Sequence, residues 1–104
     1  MFKAVILLTR RADMTHDEFA QWWLGEHRPL AQKLPNLRKA IFNLVDHKTD
    51  DPGIDGVTEL WFDSKRDFEA AYASEIGIQT TEDSIAHVSN RVRMFVVENE
   101  FLGS

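Results

Sequence analysis

Of the ionisable side chains in this 104-residue chain, His27 is the best suited to move a proton. Phe19, Trp23, His27 and Leu30 are spaced so that all four fall on one side of a helix, with Pro29 immediately behind. At roughly 100° per residue they define a stripe about 80° wide. Orphan carbonyls at a helix end favour the imidazolium, whereas burial favours the neutral ring. Either influence leaves a histidine that titrates near neutral pH and can serve as general acid or base. A structural role competes with this one, in which the ring bonds a backbone carbonyl freed by Pro29. Trp22, at the flank of the stripe, Trp23 and Trp61 are candidates to line a pocket for a flat apolar compound. Core or dimer packing is the commoner use of such residues, and Trp23 in particular reads as packing. Asn43 and Glu59 stand in strand patterns where apolar residues are expected. Facing inward they would need hydrogen bonds and could orient a substrate; facing the outer edge they would carry no such role. Glu26 points about 100° away from His27 and reads as a solvated carboxylate. His47 reads as a solvent-facing loop residue after a strand, His16 as a first-turn residue facing water, and His87 receives no role.

Other chemistries lack their residues. There is no cysteine, no His-x-x-x-His pair, no Gly-rich phosphate loop and no nucleophile elbow. Asp46, Asp50, Asp51 and Asp55 do not follow the alternation of a calcium loop. No metal or other cofactor is therefore expected. The net charge of −5, with Arg10-Arg11 as the longest cationic cluster, argues against nucleic acid. The apolar run from Ala4 to Leu8 is far shorter than a membrane span, and no targeting segment is evident, so the cytoplasm is the expected compartment. A hydrophobic content of 43% with 28% charged residues is that of a globular chain, and residues 1–104 are expected to form one domain.

The elements that must position these residues follow from the pattern. Phe2 to Thr9 reads as a strand. Thr15 and Glu18 fit a capping box that opens a helix, and Pro29 predicts a kink or break near His27. Arg38 to Asp46 is a second strand, with Ala40, Phe42 and Leu44 on one side and Lys39, Ile41, Asn43 and Val45 on the other. His47 to Gly56 is a loop, Val57 to Phe62 a third strand, and Ser64 the cap of a second helix carrying Phe68, Ala71 and Tyr72. The segment from Ser74 to Asn90 is mixed, with a helical stretch around Glu82 to His87, and Val92 to Val97 is the last strand. The order β-α-β-β-α-β predicts an α+β, ferredoxin-like fold with a four-stranded antiparallel sheet.

Both faces of that sheet are apolar. Phe2, Ala4, Ile6 and Leu8 oppose Val5 and Leu7; Val57 and Trp61 oppose Leu60 and Phe62; Met94 and Val96 oppose Phe95 and Val97. A single helical layer covers only one face. At about 25 cal/mol per Å², several hundred Å² of such surface is worth many kcal/mol, so something must cover the second. A second copy of the chain, giving a homodimer through the open sheet face, is the expected cover. The alternative is a monomer roofed by its own segment from Ser74 to Asn90.

The stretch from Met14 to Leu30, with its capped start, Phe19, Trp22-Trp23 and Glu26-His27-Arg28-Pro29, resembles the signature helix of the EthD family. The Leu34-Pro35-Asn36-Leu37 turn, the Glu59-Leu60-Trp61-Phe62 strand and the two terminal strands are similar in order and spacing. The resemblance implies a dimeric α/β barrel with a pocket between helix and sheet. It also implies binding of a small apolar or aromatic compound. Characterised relatives in this broad group include cofactor-independent isomerases, decarboxylases and oxygenases, which favours His27 as an acid–base catalyst, with Trp22, Trp23, Asn43, Glu59 and Trp61 as the candidate substrate-binding residues read above. The namesakes serve P450-linked ether degradation, so the alternative is a non-catalytic accessory or ligand-binding protein of a xenobiotic degradation pathway. Some dimeric α/β barrels bind haem, for which His27 or His87 would be the axial ligand. Fold kinship alone does not transfer a reaction.

Overall fold

The computed structural model describes residues 1–46 and 53–103. His47, Asp50, Asp51 and Pro52 of the expected loop lie outside the described residues. Strand β1 (Phe2–Arg10) leads to helix α1 (His16–Trp22), a π-helical turn (Trp23–His27) and a short helix α2 (Arg28–Ala31). Strands β2 (Lys39–Leu44) and β3 (Gly56–Phe62) follow, then helices α3 (Lys65–Ala73) and α4 (Glu75–His87), and strand β4 (Val88–Val96). The sheet order is β2-β3-β1-β4 with every neighbouring pair antiparallel, an α+β ferredoxin-like arrangement.

Helix α1 opens on the expected capping box: the Glu18 amide donates to Thr15 Oγ1 at 3.1 Å and the Thr15 amide to Glu18 Oε1 at 2.9 Å. The chain does not break at Pro29. Instead the Arg28 amide reaches back five residues to the Trp23 carbonyl, the signature of a π-turn. Pro29 has no amide to continue an α-helical ladder, and its ring would crowd the carbonyl four residues earlier. Widening the turn accommodates it while keeping the helix continuous. The added residue also changes what faces inward. Trp22, Trp23, His27 and Ala31 are buried, while Leu30, expected on the stripe, is only half-buried.

Helix α4 is longer than the expected Glu82 to His87. Its buried residues are Gly77, Thr80 and Ser84, small or hydroxyl-bearing side chains that give no apolar periodicity to read. Ser74 separates it from α3, accepting from the Gly77 amide at 3.2 Å. A side chain at Gly77 would run into the backbone of Ala71 and Tyr72, so glycine sets how closely α4 crosses α3. Strand β4 likewise begins at Val88 rather than Val92. It is an edge strand, where Ser89 and Asn90 stay exposed without penalty.

The core lies between sheet and helices, with Ala4, Ile6, Leu8, Leu60 and Phe62 packed against Phe19, Trp22, Trp23, Phe68 and Ala71. Helix α4 is on this same side, because Thr80 and Ser84 share a cavity with Ile6 and Leu8. The segment from Ser74 to Asn90 therefore does not roof the opposite face. On that face Ile41, Val92 and Met94 remain 37%, 43% and 38% exposed.

One expectation about the histidines is overturned here. His16 is not in water: its Nδ1 lies 2.8 Å from Asp55 Oδ1 and its Nε2 2.8 Å from the Val45 carbonyl. Asp55 is fully buried and also takes the Arg10 amide at 2.8 Å and guanidinium at 2.6 Å. Burial alone would push this carboxyl up, but the bonds from the Arg10 amide, His16 and the Arg10 guanidinium outweigh it and hold it below the ordinary 3.8. No local pattern joins residues 10, 16 and 55.

Trp23 packs flat on Phe42, with ring centroids 4.4 Å apart, and lies against Gly56. A Cβ at position 56 would stand 2.6 Å from the indole. Gly56→Ala is therefore expected to lower stability by about 1–3 kcal/mol, the usual cost of overpacking. Urea denaturation measures it, and an unchanged midpoint would show that the Trp23 packing is looser than described.

Candidate functional site

The helix–sheet layer encloses a cavity lined by Ile6, Leu8, Ala31, Phe42 and Leu60 on its apolar side. His27, Thr58, Tyr72, Thr80, Thr81, Ser84 and Arg91 supply its polar groups. It measures about 20 Å³ on the scale where one water fills roughly 10–15 Å³.

His27 reaches this wall because the π-turn carries it inward, one widened turn after Trp22. It is only 6% exposed. Its Nδ1 lies 2.9 Å from Asp83 Oδ2, an oxygen that also accepts from Trp22 Nε1 at 3.1 Å. An indole nitrogen only donates, so Oδ2 is an acceptor and the imidazole Nδ1–H must donate to it. The tautomer that follows from this network leaves the lone pair on Nε2. Nε2 has no hydrogen-bond partner among the described residues. Burial lowers the His27 pKa below its ordinary 6.5, and Arg91 and His87 push it the same way against the opposing bond and charge of Asp83. The ring is therefore neutral at neutral pH and basic at Nε2.

Asp83 was not singled out by sequence. It comes from the middle of α4, 56 residues after His27, and only the packing of α4 over the π-turn brings them together. A carboxylate one turn before His87 in a mixed segment offers no local signal. His87 Nδ1 donates to the Asp83 carbonyl at 2.7 Å, and its ring stacks on Trp22 at 4.4 Å. Trp22 thus backs His27, with centroids 5.0 Å apart, without lining the cavity. Trp23 is fully buried behind Phe42, and its Nε1 has no hydrogen-bond partner among the described residues.

Asn43, Glu59 and Trp61 do not join His27. Strand alternation and the register Asn43↔Val57 and Ile41↔Glu59 put them on the open face, opposite Leu60 and Phe62. Of the six candidates, only His27 lines the cavity, with Trp22 and Trp23 packed behind it. The three form a polar group of their own. Lys3 Nζ donates to Glu59 Oε1 at 2.9 Å, Asn43 Nδ2 to Glu59 Oε2 at 2.9 Å, and Trp61 Nε1 to Glu98 Oε1 at 2.8 Å. Lys3 and Lys39 lie 4.4 and 4.8 Å from the Trp61 ring. The Lys3 and Asn43 bonds hold the Glu59 carboxyl below its ordinary range. Glu26 is exposed, as expected.

No group of three or more His, Cys, Asp or Glu among the described residues is arranged to hold a metal ion. A haem does not fit at His27, which looks into space for one or two waters.

Comparison with known proteins agrees with this architecture. The EthD domain family matches the chain over residues 11–89. No match is found among curated protein sequences. An EthD family protein from Bacillus halodurans is 18% identical and superposes with a TM-score of 0.78, covering 95% of this chain and 100% of its own. A dimeric ferredoxin-like protein of unknown function from Thermobifida fusca is 14% identical, with a TM-score of 0.74 over 93% of this chain and 90% of its own. A hydroxynitrile lyase from Passiflora edulis is 14% identical, with a TM-score of 0.74 over 98% of this chain and 96% of its own. At such identities the likeness concerns fold alone.

The Asp83 contact makes a measurable demand on His27. Its hydrogen bond and charge both raise the imidazole pKa, so Asp83→Asn is expected to move that pKa lower still. NMR titration of the His27 ring reads this directly, and an unmoved titration would separate Asp83 from the histidine.

Proposed function

The chain belongs to the EthD domain family, and from its cavity we propose that it binds a small apolar or aromatic compound and acts on it without a cofactor. His27 is the acid–base group. The observation that carries this reading is a buried neutral imidazole anchored at Nδ1 by Asp83, its Nε2 unbonded, in the wall of a cavity that has an apolar side and a polar one.

In this arrangement Nε2 takes a proton from an acidic carbon or hydroxyl of the substrate. The imidazolium that forms is stabilised by Asp83, which also keeps the ring from turning. Returning the proton to a different atom of the substrate gives isomerisation. Taking a hydroxyl proton as the adjacent carbon–carbon bond breaks, and returning it to the departing carbanion, completes a lyase cycle. The lyase activity of the Passiflora edulis neighbour supports a proton-transfer reaction on this scaffold. Ile6, Leu8, Phe42 and Leu60 exclude water and bind the carbon skeleton. The small cavity favours a compact ligand, which enters by displacing water and turning wall side chains.

The active form on this reading is a homodimer joined through the open sheet face. The exposed Ile41, Val92 and Met94 and the dimeric state of the Thermobifida fusca neighbour support it. The polar group of Lys3, Asn43, Glu59 and Trp61 then lies at or beside that interface and sets its register instead of touching substrate.

A panel of cyanohydrins and enolisable aromatic ketones, followed by NMR in deuterated water, tests the reading. Wild-type protein is expected to cleave or exchange at least one class, and His27→Gln to slow it by about 10²–10⁴-fold while melting normally. A folded His27→Gln protein with full turnover would remove His27 from the mechanism. Because burial lowers its pKa, kcat/KM is expected to rise with pH along a single limb below 6.5 and then level. A limb above 6.5 would assign the base elsewhere. Sedimentation at micromolar concentration is expected to show a dimer, and a stable monomer would refute the interface.

A further inference from the structure

The cavity is lined by a cation that no described residue pairs. β4 pairs with β1 so that Arg91 stands opposite Leu8 and Arg93 opposite Ile6. Since Ile6 and Leu8 face the core, both arginines project toward the helical side of the sheet. Inward-pointing charges on an edge strand can serve merely to discourage pairing with another chain. Arg93 fits that role: it is exposed and spends its charge over the Phe68 and Phe95 rings, at 5.2 and 5.5 Å.

Arg91 differs. It is half-buried, it lines the cavity beside His27, Tyr72 and Ser84, and it has no hydrogen bond, ion pair or ring contact with any described residue. Arg10, Arg11 and Arg38, by contrast, each hold a carboxylate within 3 Å. The carboxylate beside the cavity, Asp83, is already engaged by His27 and Trp22. Ser84 adds a second, independent sign. It is 4% exposed and lines the cavity, yet its hydroxyl has no partner among the described residues. A partly desolvated guanidinium left unpaired is costly.

We infer that the ligand completes this site, and that Arg91 selects a compound carrying a negative oxygen, either a carboxylate or an ionised enol or phenol. The planar guanidinium offers two parallel N–H donors to such a group, and the Ser84 hydroxyl supplies a third. The Tyr72 hydroxyl, in the same wall, stays protonated because burial raises its pKa, and so it too donates. An oxyanion held there lies in the same small cavity as His27 Nε2. Arg91 is thereby a specificity residue, and where the reaction passes through an enolate it also holds the charge that proton removal creates. The inference rests on the cavity being the ligand site, but not on turnover.

The test titrates acetate and benzoate, each beside its neutral amide, into the full chain while NMR follows the Arg91 Nε–Hε and His27 ring signals. An ionised nitrophenol against its methyl ether forms the phenol arm. Each anion that uses the site is expected to shift the Arg91 signal and to bind about tenfold or more tightly than its neutral twin, the worth of a charge-assisted hydrogen bond. The arm that responds identifies the oxyanion. Binding should also raise the His27 pKa, since the anion cancels the downward push of Arg91. Arg91→Gln should abolish the preference for the anion, and Arg91→Lys should keep part of it. Equal affinity for anion and neutral twin in both arms, or an unchanged preference in Arg91→Gln, would overturn the inference. His27→Gln separates the two readings: if anion preference survives while turnover is also unaffected, the acid–base role of His27 fails and that of Arg91 stands.

Discussion

The site depends on one hydrogen bond, from His27 Nδ1 to Asp83 Oδ2. An imidazole taken out of water loses solvation for its charged form, and here that loss outweighs the stabilising carboxylate, so the ring stays neutral. The same carboxylate fixes which nitrogen carries the hydrogen. A neutral ring with a known tautomer and an unbonded Nε2 differs from a histidine that merely fills space. Trp22 strengthens the arrangement by donating to the same oxygen and flanking the ring, while His87 stacks on Trp22. The bond also ties the first helical segment to α4, so the orientation of the imidazole and the packing of two helices are one interaction.

That geometry is reached through a local departure from the α-helix. Pro29 removes an amide, and the chain responds by widening the preceding turn. The widened turn turns Trp22, Trp23 and His27 together toward the core, where a regular helix would turn one of the tryptophans aside. Trp23 wedges against Phe42 and the bare backbone of Gly56, fixing the helix to β3 and, through Phe42, to β2. The backbone irregularity is thus held by close packing on both strands.

The sheet divides the polar residues into two populations with separate duties. On the helical side His27, Tyr72, Ser84 and Arg91 point at a small cavity. On the other side Lys3, Asn43 and Glu59 satisfy one another, and Trp61 donates to Glu98. The apolar residues around this second group, Ile41, Val92 and Met94 among them, remain exposed in a single copy. On the proposed dimer, a twofold copy of the same face would cover them.

Sequence by itself determined the element order, the capped start of α1, which alternate residues share a face of each strand, and the candidacy of His27. These rest on periodicity and nearest-neighbour chemistry, which a linear reading contains. It also carried the likeness to the EthD family, which the match over residues 11–89 bears out. The tertiary structure alone decided that Asp83 answers His27, that His16 joins Arg10 and Asp55, that Pro29 widens a turn instead of ending a helix, and that Asn43, Glu59 and Trp61 lie across the sheet from the cavity. Only the last turns of helix α4 were legible, because its inward face is built from Gly77, Thr80 and Ser84, which leave no apolar stripe. The physical reason is common to all of these: a hydrogen bond or a void between residues far apart in the chain has no periodicity, and exists only once the layers have packed.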